Sequence, residues 1–94
     1  MTWPSHVLVV RAKVSQDVEA EWNRWYDAVH LPELLACPGF RAGRRYRAGD
    51  SAAGRIYLAL YDIDGPHVLD SAEFKARRGW GPFAGSVFAA VAGS

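Results

Sequence analysis

Cysteine is almost missing from this chain. Cys37 stands alone among 94 residues, which excludes an intramolecular disulfide framework and a cysteine-rich zinc site. Excess charge is missing as well: eleven Lys and Arg against ten Asp and Glu leave a net charge of +1, so bulk electrostatics give a polyanion no reason to bind. Long apolar runs are absent. The longest near the N-terminus is Val7 to Val10, far short of a signal-peptide core or a membrane span. No phosphate loop or dinucleotide fingerprint is present, because Gly79-Trp80-Gly81 is too short and in the wrong context. Repeats, low-complexity tracts and linkers are lacking too. The expectation is one soluble, cytoplasmic domain over residues 1–94.

What the chain does have is rings. Four Trp, four Tyr and four Phe, within a 50% hydrophobic composition, provide enough apolar mass for a core. A chain of this size buries only about 60–65% of its unfolded surface, which makes oligomerisation attractive. Residues His6 to Val14 read as a first strand, apolar on both parities from Val7 to Val10 and so covered on both faces. Ser15 is a candidate N-cap with Asp17 and Glu19 in the first turn. Val18, Trp22, Trp25 and Val29 then recur at helical spacing. Pro32 predicts a helix end near His30 and a short second helix over Pro32 to Ala36. Phe40 to Ala48 and Arg55 to Ile63 read as two strands joined by a hairpin-type loop. Ser71 is placed to cap a helix over Ala72 to Arg78, and a last strand is expected over about Ser86 to Ala92.

The order is strand, helix, two strands, helix, strand. It predicts an α+β, ferredoxin-like βαββαβ domain whose four-stranded antiparallel sheet carries its helices on one face. Ile56, Leu58 and Leu60 share one face of the third strand, while Tyr57, Ala59 and Tyr61 share the other. The helices can cover only one side. The expectation is therefore a homodimer, sheet to sheet through Tyr57, Ala59 and Tyr61, closing a barrel.

Chemistry concentrates around His30. Trp22, Tyr26 and His30 fall at successive four-residue steps on one helix face. Asp27, three residues before His30, is within reach to hold one ring nitrogen protonated and leave the other as a base. The plainer alternative is a His30 that caps the helix end beside a solvated Asp27. In the second strand, parity counted from Phe40 and Ala42 turns Arg44 and Tyr46 toward the helices, where they could stabilise an oxyanion. The same count leaves Arg41, Arg45 and Arg47 outside. This basic run with Tyr46 inside it fits an edge strand guarded by charge better than a nucleic-acid stripe. Trp22, Tyr26, Phe40 and Trp80 are the candidate walls of a substrate pocket, Trp80 between two glycines being either a lid or a core plug. His6 and His67 are expected to be structural and Cys37 buried, and no spacing argues for a metal site.

The run Trp25-Tyr26-Asp27-Ala28-Val29-His30-Leu31-Pro32, followed by Pro38-Gly39-Phe40 and an Arg- and Tyr-containing strand, resembles EthD-like members of the dimeric α/β-barrel superfamily. The strand Tyr57-Leu58-Ala59-Leu60-Tyr61 fits the same pattern, and the resemblance spans about Val18 to Asp62. It implies a ferredoxin-like protomer paired into a barrel. Proteins of this type include cofactor-independent lactone isomerases, polyketide cyclases, small monooxygenases, haem-handling enzymes and members with no known activity. It also implies a pocket between sheet and helices in which a His from this region, here His30, or a Tyr shuttles protons.

The combined expectation is a cofactor-independent enzyme performing isomerisation, cyclisation or elimination on an aromatic, lactone or polyketide-like molecule. Two alternatives stand beside it. One is a non-catalytic dimeric binding or assembly module; the other is a haem- or oxygen-dependent monooxygenase with His30 as a possible axial ligand.

Overall fold

Alternation along the first strand decides which side of the sheet the helices take. The computed structural model describes residues 6–51, 54–83 and 87–93. In β1 (His6–Val14), Leu8, Val10, Ala12 and Val14 are buried while Val7, Val9 and Lys13 are partly exposed and Arg11 is exposed. β2 (Phe40–Ser51) and β3 (Gly54–Ile63) pair as an antiparallel hairpin closed between Ser51 and Gly54. β3 also pairs antiparallel with β1, His6 opposite Ile63 and Val14 opposite Arg55. Along the other edge of β1 runs the backbone of β4 (Val87–Gly93), which gives the order β2-β3-β1-β4. This is an α+β, ferredoxin-like arrangement. The hairpin residues Ala52 and Ala53, and the expected strand start at Ser86, lie outside the described residues.

The helical segment after β1 corrects the reading of Pro32. A turn of 3-10 helix (Gln16–Val18) leads into α1 (Glu19–Trp25), and Ser15 precedes it in extended conformation without a side-chain capping bond. The chain then makes one π-helical turn, Tyr26–His30, and continues directly into α2 (Leu31–Leu35). Leu31 keeps helical angles (φ −61, ψ −49), and its N–H donates to the Tyr26 carbonyl five residues back. Proline in an α-helix has no N–H and clashes with the carbonyl four residues earlier. The wider π turn opens the ladder at that place, so no break is needed.

The same turn sets the buried face. On a pure α-helix, four-residue steps drift by about 40° each. The π turn takes up that drift, so Trp22, Tyr26, His30 and Leu34 all stay buried, while Val29 is turned out to solvent. After β3, a 3-10 segment (Pro66–Asp70) leads to α3 (Ala72–Arg77), which Ser71 caps as expected, its Oγ accepting from the Phe74 N–H at 3.1 Å.

The two-faced third strand is real, but its faces are exchanged. Ala59 and Tyr61 are buried under the helices and Tyr57 packs against Trp22, with ring centroids 5.2 Å apart. Ile56, Leu58 and Leu60 are the half-exposed set. The reason is size: α1 and the π-helical turn bring the large rings of Trp22, Trp25 and Tyr26 to the sheet, and rings on the sheet fill the layer between them. The homodimer surface expected at Tyr57, Ala59 and Tyr61 is thus corrected, because those residues belong to the core. Left open is an aliphatic strip of Val7, Val9, Ile56, Leu58 and Leu60.

A candidate active site beneath the helices

A cavity of about 640 Å³ lies between β1, the helical segment and α3. Leu8 and Val10 form its floor; Leu34, Leu69 and Phe74 add apolar walls; Tyr26, His30 and Trp80 supply rings; Asp70, Lys75 and Arg78 also line it. A volume of this order suits a small organic ligand.

His30 is placed as the sequence predicts, at the cavity and only 4% exposed. Its ring stacks on Trp25 (centroids 4.8 Å, 14° between planes), meets Tyr26 edge-on at 4.8 Å and lies 5.5 Å from Trp80. Burial among these rings, helped by the positive charge of Arg45, lowers its pKa from 6.5 to about 4. At neutral pH the imidazole is uncharged and free to accept a proton. Among the described residues none hydrogen-bonds its nitrogens.

Asp27 does not serve it. Its carboxylate is 65% exposed and accepts from Arg45 Nη1 at 2.7 Å, so it faces away from the imidazole and orients the guanidinium instead. Arg44 and Tyr46 are also displaced from the positions expected of them. Both lie on the open face of the sheet, Arg44 56% exposed and 3.5 Å from Asp62, and Tyr46 49% exposed. The cause is a β-bulge between Phe40 and Ala42, where the register skips a residue. An extra residue reverses the parity of everything after it, so Phe40 and Gly43 both face inward, and Arg45 follows them.

Arg45 is the residue the parity count excluded. Its guanidinium lies 4.0 Å from the Tyr26 ring centroid, 5.0 Å from that of Trp22 and 5.6 Å from that of Tyr57. Nη2 donates to Asn23 Oδ1 at 2.7 Å, and Asn23 Nδ2 donates to the Tyr57 hydroxyl at 3.0 Å. Cation–π attraction and charge-assisted bonds hold this cation where an unpaired one would be costly.

Trp22 and Phe40 are buried but do not line the cavity. Trp22 braces Tyr26 edge-on at 5.4 Å, and Phe40 stacks on Phe74 at 5.6 Å, each supporting a wall residue from behind. Trp80 is partly buried and does line it, held by Tyr26 and Trp22 at 5.9 Å. The glycines beside it carry positive φ, and a Cβ on Gly81 would stand 3.1 Å from the Trp25 ring. The Tyr26 and Tyr61 hydroxyls hydrogen-bond to each other, and burial raises the pKa of both. Tyr61 thus stands behind the wall and touches the cavity only through Tyr26; the sequence reading assigns it to a dimer surface instead. Cys37 is buried as expected, its Sγ 3.5 Å from the Glu33 carbonyl. Among the described residues no group of His, Cys, Asp or Glu is arranged to hold a metal ion, and no helix is long and apolar enough to cross a membrane.

Structures of similar fold agree on the protomer. An EthD family protein from Bacillus halodurans superposes with a TM-score of 0.65 at 19% identity, covering 93% of this chain and 96% of that one. SnoaB, a cofactor-independent oxygenase from Streptomyces nogalater, gives 0.69 at 14% identity over 98% and 92% of the two chains. A dimeric ferredoxin-like protein from an uncultured marine organism gives 0.66 at 11% identity over 98% and 94%. These likenesses show the ferredoxin-like fold alone. No curated protein matches the chain. With residues 5–71 matching its profile, the chain belongs to the family described as Domain of unknown function (DUF4286).

Proposed function

We propose that this chain is a small EthD-like enzyme that moves a proton on an aromatic or polyketide-like substrate, with His30 as the base. The observation that carries the reading is the neutral, buried imidazole on the wall of a ring-lined, largely apolar cavity. An apolar body enters beside Trp80, and water leaves. His30 then accepts a proton from an acidified C–H. The imidazolium so formed has no carboxylate on it; the enolate-like anion created alongside is its counter-ion.

The oxyanion partner in this reading is Tyr26 rather than Arg44 or Tyr46. If the Tyr61 hydroxyl donates to that of Tyr26, the Tyr26 O–H is free to donate to substrate, and the second phenol strengthens it. Returning the proton at another atom gives isomerisation, ring closure gives cyclisation, and loss of a leaving group gives elimination. SnoaB, of similar fold, is described as a cofactor-independent oxygenase, which supports substrate activation by the protein's own groups.

The active unit in this proposal is a homodimer joined through the open sheet face. Its support is the aliphatic strip of Ile56, Leu58 and Leu60 with Val7 and Val9 on the open face.

Proton exchange into 2-tetralone, an aromatic ketone with acidic α-hydrogens, followed by NMR in D2O, tests the base. Wild-type protein should accelerate exchange, and His30→Gln should lose at least about 100-fold of that acceleration while remaining folded by circular dichroism at the assay temperature. Equal rates for the two proteins would refute the assignment.

A further inference from the structure

The cavity's charged residues are not distributed like its rings. His30 and Tyr26 belong to the buried wall, whereas Asp70, Lys75 and Arg78 are exposed residues that also line the cavity. Lys75 sits in the last turn of α3 and Arg78 is its C-cap, three positions apart on the side that faces the cavity. Their neighbour Arg77 is different: it does not line the cavity and lies 3.7 Å from Glu33. Among the described residues neither Lys75 nor Arg78 has an opposite charge within ion-pair distance, and Asp70 is likewise unpaired. Two cations against one carboxylate leave the mouth with a positive excess.

An ionic group cannot follow an aromatic body inward, because Leu8, Val10, Leu34, Leu69 and Phe74 offer it no partner. It would have to stay at the mouth, where the sign of the rim selects it. We infer that the cavity takes aromatic acids, with the ring system against His30 and Trp80 and a carboxylate held at the mouth by Lys75 and Arg78. This deepens the proton-transfer reading and rests on its cavity, but not on its base. Arg78 presents a planar fork suited to two carboxylate oxygens, and Lys75 a point charge beside it. The carboxylate would also orient the molecule, since only one end can remain outside, and so fix which carbon approaches the imidazole.

The probes are 2-naphthoate and its uncharged counterpart 2-naphthamide, which share a ring system and differ at the charged end. Binding is read by quenching of tryptophan fluorescence at low salt. Wild-type protein should bind the naphthoate about tenfold more tightly than the amide, two partly exposed charge contacts being worth about that factor. The double variant K75Q/R78Q should lose this preference while its affinity for the amide stays within about twofold. Both side chains are exposed, so its melting temperature should match the wild type. Independently of any variant, raising the salt concentration should weaken the naphthoate and leave the amide unchanged. Equal affinity for acid and amide, an unaltered preference in the double variant, or failure of both probes to bind would each overturn the proposal. His30→Gln should retain the preference for the acid. Loss of turnover with the preference intact, or loss of the preference with turnover intact, tells failure of the one proposal from failure of the other.

Discussion

Acid should unfold this protein through His30 before its carboxylates are fully protonated. An unperturbed histidine titrates near 6.5, whereas the folded site holds His30 at about 4. The folded-state value is the lower one, so as the pH falls below about 6.5 the unfolded chain gains a proton that the native state refuses. Stability contributed by the neutral ring is full above that value, declines down to about 4, and falls no further below it. Between pH 7.5 and 4.5 the loss works out at about 2.5 kcal/mol for this one group. Burial is the larger cause, Arg45 opposes protonation from β2, and the neighbouring Tyr26 stays neutral; the other charged residues of the cavity, Asp70, Lys75 and Arg78, are exposed. Denaturant unfolding of wild type and His30→Gln at the two pH values isolates the term, because the carboxylates common to both cancel in the difference. Wild type should lose about 2.5 kcal/mol more than the variant on acidification. Parallel losses, or an NMR titration placing His30 at 6 or above, would refute the burial argument.

Three further outcomes are expected. Arg45→Met should lower unfolding free energy by about 2 kcal/mol, through lost ring contacts and charge-assisted bonds, whereas Arg44→Met on the open face should stay within about 0.5 kcal/mol by the same denaturant assay. Gly39→Ala should cost about 2 kcal/mol in thermal melts, because Gly39 has φ +87 and a Cβ there would stand 2.3 Å from Val68 Cγ2. Leu58→Asp should convert a dimer to a monomer in analytical ultracentrifugation while leaving the circular dichroism spectrum intact; Tyr61→Asp should instead abolish folding, as expected for a fully buried ring.

Much of the fold was legible because its signals are local. The alternating and apolar runs locate β1 and the hairpin, and Ser71 three residues before Phe74 marks the start of α3. The imidazole was legible as well, since Trp22, Tyr26 and His30 are four residues apart and a helix puts such residues together. Pro32 misled because local rules treat a proline as a helix stop, while the π turn that tolerates it is formed by five unremarkable residues. Aromatic and aliphatic faces were separable on β3, but which of them meets the helices depends on rings contributed from elsewhere in the chain.

The bulge near Phe40 has the largest chemical consequence. Counting parity from Phe40 puts Arg44 inside and Arg45 outside; one extra residue before Ala42 exchanges them. Either arginine would be a cation on a strand, yet only the inward one meets Tyr26, Trp22 and Asp27 and contributes to holding His30 uncharged. Asp27 follows from the same exchange. With a guanidinium on its own side of the helix, the carboxylate pairs there at 2.7 Å and leaves the imidazole to the rings. A base next to a carboxylate would titrate higher and bind a proton more firmly at rest. The bulged strand instead leaves an imidazole that is neutral at rest, whose counter-ion in the proposed reaction is the anion formed from substrate. A one-residue irregularity in the strand thus sets the electrostatics of a histidine on the facing helix.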